Sequence, residues 1–242
     1  FSTALPPEAV SRYLPDRFTV LLVSETLHTA TLPPEPLTVS LRLDGQRYQP
    51  DLALVFRERP LCAILAANPR WSPSYLDASR TLFVLSNRHP TLPRLRTVDP
   101  CDPNGSVERA CAERPSSLPA LLVELDALIQ ATPQAPYPHL LKARFELACQ
   151  RDAEIAIAHV DAALAAPTHH PDAYNLSAQA RTIAGRLDEA ALAADRAVAV
   201  DAGWSSRALR ARLRLKAGDP SGALSDLEQV LQDSGDAMPG RV

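Results

Sequence analysis

The chain has 242 residues, 46% of them hydrophobic, enough for one large domain or two ordinary ones and too apolar for wholesale disorder. Its 25 basic and 28 acidic residues leave a net charge of −3, with 13 basic and 14 acidic before Thr132/Pro133 and 12 and 14 after. That balance argues against nucleic acid as a partner, and no apolar run approaches the roughly 20 residues of a membrane span.

In chain order, Phe18 to Val23 reads as a strand. Leu37 to Leu43 alternates apolar and polar residues and runs into Asp44-Gly45, a strong hairpin signal. Leu52 to Phe56, Leu61 to Leu65 and Thr81 to Leu85 read as further buried strands, with a helical turn expected at Tyr75 to Ser79. Pro90 to Pro119 shows no period and reads as a long irregular connection. Leu118 to Ile129 then has helical spacing, with Leu121, Leu122, Leu125, Leu128 and Ile129 on one side. From His139 to Gln232 the chain is alanine-rich and nearly proline-free, whereas the prolines before it forbid long helices. The expected fold class is therefore α+β in two parts. A proline-rich β-containing domain spans 1–115, an α-helical solenoid 116–236, and a tail 237–242.

Small residues recur in the helical part at a step of 33 to 34, as from Ala156 to Ala190 to Ala223. One unit places Tyr174, Ala178, Gly185, Ala190, Ala194 and Ala197 in series. The next aligns as Ala208, Arg212, Gly218, Ala223, Leu227 and Val230, and the preceding one as Leu140, Arg144, Ala156, Val160 and Ala163. This pattern resembles the tetratricopeptide (TPR) repeat over about residues 138–233. That family has an aromatic early in helix A, a small residue four places on, Gly at the turn, and small residues along helix B. Ala202 departs from it where a terminal proline is usual, as do Arg144 and Arg212, which stand at small positions. The resemblance implies a stack of helix pairs whose helices A line a groove for a protein or peptide.

Arg207, Arg210 and Arg214 fall on one side of the last helix A at i, i+3 and i+7. They are the expected partner-binding residues, forked donors suited to an acidic segment or a terminal carboxylate. No catalytic set is expected. Gly-x-Gly-x-x-Gly, P-loop and Gly-x-Ser-x-Gly motifs are all missing, and Leu85 to His89 resembles a protease histidine segment with no nucleophile to follow. Pro50-Asp51 and the strands after it resemble the PD-(D/E)xK nuclease core, but the strand at 61–65 offers Cys62-Ala63-Ile64 with no Glu or Lys. His159, His169 and His170 near Asp161 and Asp172 do not make a convergent ligand set, and no Cys-x2-Cys pair exists, so neither metal nor cofactor is expected.

Cys101 and Cys111 flank a turn-rich segment and read either as a disulfide or as two free thiols. Cys62 and Cys149 read as buried thiols. A bridge would point to a periplasmic or secreted compartment, and the start at Phe1 without an initiator Met fits either a removed signal peptide or a trimmed boundary. Lysine occurs twice against 23 arginines, a high-GC coding bias pointing to a bacterial source. The expected function is a non-enzymatic interaction or scaffold module. The alternative is a hydrolase or degenerate nuclease-like N-terminal domain regulated by the repeats.

Overall fold

The computed structural model describes residues 51–90, 92–113, 115–149, 152–166 and 171–236, with the backbone course of 20–22, 41–43 and 46–48. The chain divides into two compact units, Phe1–Pro138 and His139–Val242. It is mostly helical, with a small sheet in the first unit.

That sheet contains β1 (Val20–Leu22), β4 (Leu52–Phe56), β6 (Arg80–Leu85) and β5 (Trp71–Leu76), in this order. β1 runs parallel to β4, and the other pairs are antiparallel. β2 (Leu41–Leu43) and β3 (Gln46–Tyr48) form a separate antiparallel pair with Leu43 opposite Gln46, which leaves Asp44-Gly45 between them as the hairpin signal requires. Both faces of β4 are covered, so its LALVF run is apolar without alternation. Leu52 and Leu54 cluster with Tyr75, Leu82, Val84 and Ala135. Ala53 and Val55 cluster with Trp71, Phe83, Cys62 and Leu65. Pro73 is tolerated because β5 is an edge strand, and its ladder is irregular between Pro73 and Tyr75.

Three sequence expectations fail in this unit. Leu61 to Leu65 is not a strand but part of α1 (Pro60–Ala67), where Pro60 opens the helix and Cys62 and Leu65 are buried one turn apart. A short apolar run fits either structure, and a proline at the first helical position decides for helix. Tyr75 to Ser79 is not a helical turn. Tyr75 and Leu76 end β5, and Asp77 then accepts the N–H groups of Ser79 and Arg80 at 2.8 and 2.7 Å, turning the chain straight into β6. Pro90 to Pro119 is irregular only as far as Asp102. Asp102 accepts the Gly105 N–H at 3.0 Å and starts α2 (Pro103–Glu113), an Asp-Pro opening that fits helix-start chemistry.

α3 (Leu118–Ala131) forms as expected, with Leu121, Leu125 and Leu128 fully buried. It belongs to the same compact unit as the sheet. The second unit takes most of α4 (Pro136–Ala148), then α5 (Ala153–Leu164), α6 (Pro171–Ile183), α7 (Leu187–Val200), α8 (Trp204–Lys216) and α9 (Pro220–Asp236).

Candidate interaction surface

The six helices of the second unit form three pairs, and one geometric rule relates them. The eighth residue of each first helix is a buried alanine: Ala143, Ala178 and Ala211, at most 1% exposed. The fourth residue of each second helix is another: Ala156, Ala190 and Ala223, again at most 1% exposed. Without bulk at these points two helices can approach closely. The turns after α6 and α8 each contain a left-handed glycine, Gly185 at φ +77 and Gly218 at φ +80. Arg186 N–H reaches Arg181 C=O at 2.8 Å and Asp219 N–H reaches Arg214 C=O at 2.9 Å, so both ends close with the same wide hydrogen bond. The C-terminal unit is similar to a TPR solenoid.

Against known proteins, no family model matches the chain and no curated protein matches it. Solved structures similar to it include the MamA RS-1 ArsTM double mutant, 14% identical over 57% of this chain and 78% of that one, TM-score 0.48. MamA 41-end from Desulfovibrio magneticus RS-1 is 15% identical over 53% and 74%, TM-score 0.45. TTC0263, a thermophilic TPR protein of Thermus thermophilus, is 17% identical over 53% and 80%, TM-score 0.44.

The TPR-like frame corrects the sequence alignment by one residue. In the first helices the small position is held by Ala143 and Ala211, not by Arg144 and Arg212, so those arginines are not departures from the pattern. The slip arose because the connection at 165–170 is longer than the turn at 201–203, so a single step cannot align all three units. Second-helix positions align as expected.

Arg207, Arg210 and Arg214 lie toward α9. Arg210 donates from Nε and Nη2 to the two oxygens of Asp226 at 2.9 and 2.5 Å, and from Nη1 to Asp195 at 3.3 Å. Arg214 donates from Nη1 to Asp226 and to the Gly222 carbonyl, both at 3.0 Å. Arg207 donates to the Ala202 carbonyl at 2.6 Å and stands 3.8 Å from Asp233. The Asp226 side chain is 4% exposed, and its hydrogen bond, despite partial burial of the guanidinium, raises the Arg210 pKa above the ordinary arginine value. The equivalent positions of α6 are Tyr174, Ser177 and Arg181, where Arg181 binds Ser177, Asp161 and Glu189 at 2.6, 2.9 and 3.1 Å. All three arginines are thus engaged in bonds within the helical unit.

The other face of the first helices is different. Arg144 lies 3.6 Å from Asp172, and Asn175 donates to Ser206 at 3.0 Å, which sets α4, α6 and α8 side by side. Along the exposed side of α8 run Trp204, 69% exposed, Arg212, Leu215 at 55% and Lys216. Arg212 and Lys216 have no ion-pair partner among the described residues. On α6, Gln179 and Ile183 are exposed in the matching rows. Sequence reasoning passed over Trp204, whose signal was an aromatic at the first position of a helix.

The remaining sequence candidates scatter. Asp51 sits before β4 with its carboxylate 3.1 Å from His89 Nε2. The strand that suggested the nuclease core is helix α1. His159 pairs with His139, Nδ1 to Nδ1 at 3.1 Å, Asp161 is bound by Arg181, and His169 and His170 lie outside the described residues. Among the described residues no three His, Cys, Asp or Glu side chains are grouped to hold a metal.

Neither reading of Cys101 and Cys111, a bridge between them or two free thiols, holds. Cys101 bonds Cys62 of α1, and Cys111 and Cys149 are disulfide-bonded as well, so no cysteine is a free thiol. The segment after Cys101 is helix α2, which at ~1.5 Å per residue carries Cys111 about 12 Å along from its first residue, beyond disulfide reach.

Proposed function

We propose that this chain is a non-enzymatic protein-interaction module, whose TPR-like part receives a protein or peptide on the outer face of its first helices. The module is taken as 116–236, with 237–242 as a tail. The observation that carries this reading is the exposed row Trp204, Arg212, Leu215 and Lys216 on α8. It joins an aromatic, an aliphatic and two cations without an ion pair among the described residues, a composition suited to an acidic segment with apolar anchors. Arg207, Arg210 and Arg214 take the supporting part in this proposal, fixing α8 against α9 so that the exposed row is rigid. The disulfides support an oxidising compartment, periplasmic or secreted.

The test is a native pull-down with the whole chain beside an Arg212→Glu/Lys216→Glu variant of unchanged melting temperature. A protein held by the unsubstituted chain and lost from the variant supports the reading. Equal retention of every bound protein by both forms removes the α8 face from consideration.

A further inference from the structure

The last described helix has a stacking face that the described residues leave exposed. Leu224, Leu227 and Leu231 of α9 are 58, 40 and 71% exposed, and they are its fifth, eighth and twelfth residues. In α5 the same positions are Ile157, Val160 and Leu164, which pack in one cluster with Ala173, Leu176 and Ala180 of α6. In α7 the eighth position is Ala194, fully buried in a cluster with Leu209 and Leu213 of α8. Bulky residues on one helix meet small ones on the next, and small meet bulky, as close packing requires.

Charge follows the same register. The ninth residue of α5, Asp161, receives Arg181 of α6 at 2.9 Å, and the ninth residue of α7, Asp195, receives Arg210 of α8 at 3.3 Å. The ninth residue of α9 is Glu228. It is exposed and receives no arginine among the described residues. From Pro220 to Asp236 the helix has four acidic residues (Asp226, Glu228, Asp233, Asp236) and no lysine or arginine.

We propose that this face docks an amphipathic helix from a protein partner, one that places an arginine opposite Glu228. That helix presents apolar residues at i, i+3 and i+7 and an arginine at i+8, the spacing of Ala173, Leu176, Ala180 and Arg181. The inference rests on the interaction-module reading and gives it a second site with its own ligand chemistry. A second copy of this chain fits poorly. Pairing α9 with itself across a two-fold axis near Leu227 brings Glu228 against Glu228. Stacking head to tail would need the sixth and tenth residues of α4, Leu141 and Phe145, which are already fully buried.

The probe is a fluorescent, helix-stapled peptide with the sequence of residues 171–184, added to the full chain and followed by anisotropy. Stapling is needed because a free helix of this length is marginal in water. Saturable binding is expected, weakened more than tenfold by Leu227→Asp and about fivefold by Glu228→Arg. A peptide carrying Arg181→Glu should recover the loss on the Glu228→Arg chain. Failure to saturate, or binding that ignores Leu227→Asp, overturns the proposal. So does sedimentation showing a dimer that Leu227→Asp splits, which would give the face to a second copy. If the peptide fails while partner capture still depends on Arg212 and Lys216, this site falls and the broader reading stands.

Discussion

Asp226 on α9 takes both arms of the Arg210 fork, Nε at 2.9 Å and Nη2 at 2.5 Å, on a carboxylate only 4% exposed. A buried carboxylate stripped of such a partner keeps its desolvation cost, whereas an exposed pair held at long range contributes little. Arg210→Ala should therefore destabilise the chain by about 2–3 kcal/mol, Arg214 retaining part of the network. Arg207→Ala, which removes a hydrogen bond to the Ala202 carbonyl and a 3.8 Å contact to exposed Asp233, should cost less, about 1 kcal/mol. Urea unfolding of the two variants decides the matter, and equal losses would mean that the Asp226 pair does not hold the last helix pair together.

The two turn glycines offer a cleaner backbone test. A methyl group added at Gly185 or Gly218 would meet no atom within 4 Å, yet both residues sit at φ near +80. The cost of Gly→Ala is then conformational, about 1–2 kcal/mol at each site. Gly→Asn should recover part of it, because asparagine tolerates the left-handed region. Thermal melts of four single variants measure this. An alanine that leaves the melting point unchanged at either site would show that the turn does not need a left-handed residue.

The repeat part was legible because its signals are local. Alanines at fixed steps and glycines after helix ends depend on spacing alone, and they located Ala190, Gly185 and Gly218 correctly. The slip to Arg212 came from carrying one step through a loop of different length. Side-chain direction was less legible. Arg207, Arg210 and Arg214 share a helix face, but that this face meets Asp226 depends on how α9 packs. In the first unit, Leu61 to Leu65 lacked a period long enough to choose between strand and helix. The partner of Cys101 was hidden for a related reason, since Cys62 approaches it only once α1 lies against the sheet.

Glu124 makes an irregular stretch behave as a fixed one. Its carboxylate accepts the backbone N–H groups of Arg96, Thr97 and Val98 at 2.7 to 3.0 Å, between flanking side chains Leu95 and Val98 that are buried. Hydrogen bonds to an ionised acceptor are stronger than neutral ones, so Glu124→Ala should cost about 2 kcal/mol and Glu124→Gln less. Hydrogen exchange should show the three amides losing protection together in the alanine variant. Retained protection would mean that burial of Leu95 and Val98 fixes the segment without the carboxylate.

The Cys62–Cys101 bridge ties the end of that stretch to α1, with a sequence separation of 39 and Cys62 fully buried against the sheet. Closing a loop of this length restricts the unfolded chain by an amount worth about 3–4 kcal/mol. Cys101→Ala should therefore lower stability by about 3 kcal/mol, and the freed Cys62 should resist alkylation until the chain unfolds. The linkage itself is read by mass spectrometry of an unreduced digest, where a fragment joining Cys62 to Cys101 is expected. A fragment joining Cys101 to Cys111 would overturn the assignment, and it would also require α2 to unwind, since Cys111 lies near the far end of that helix.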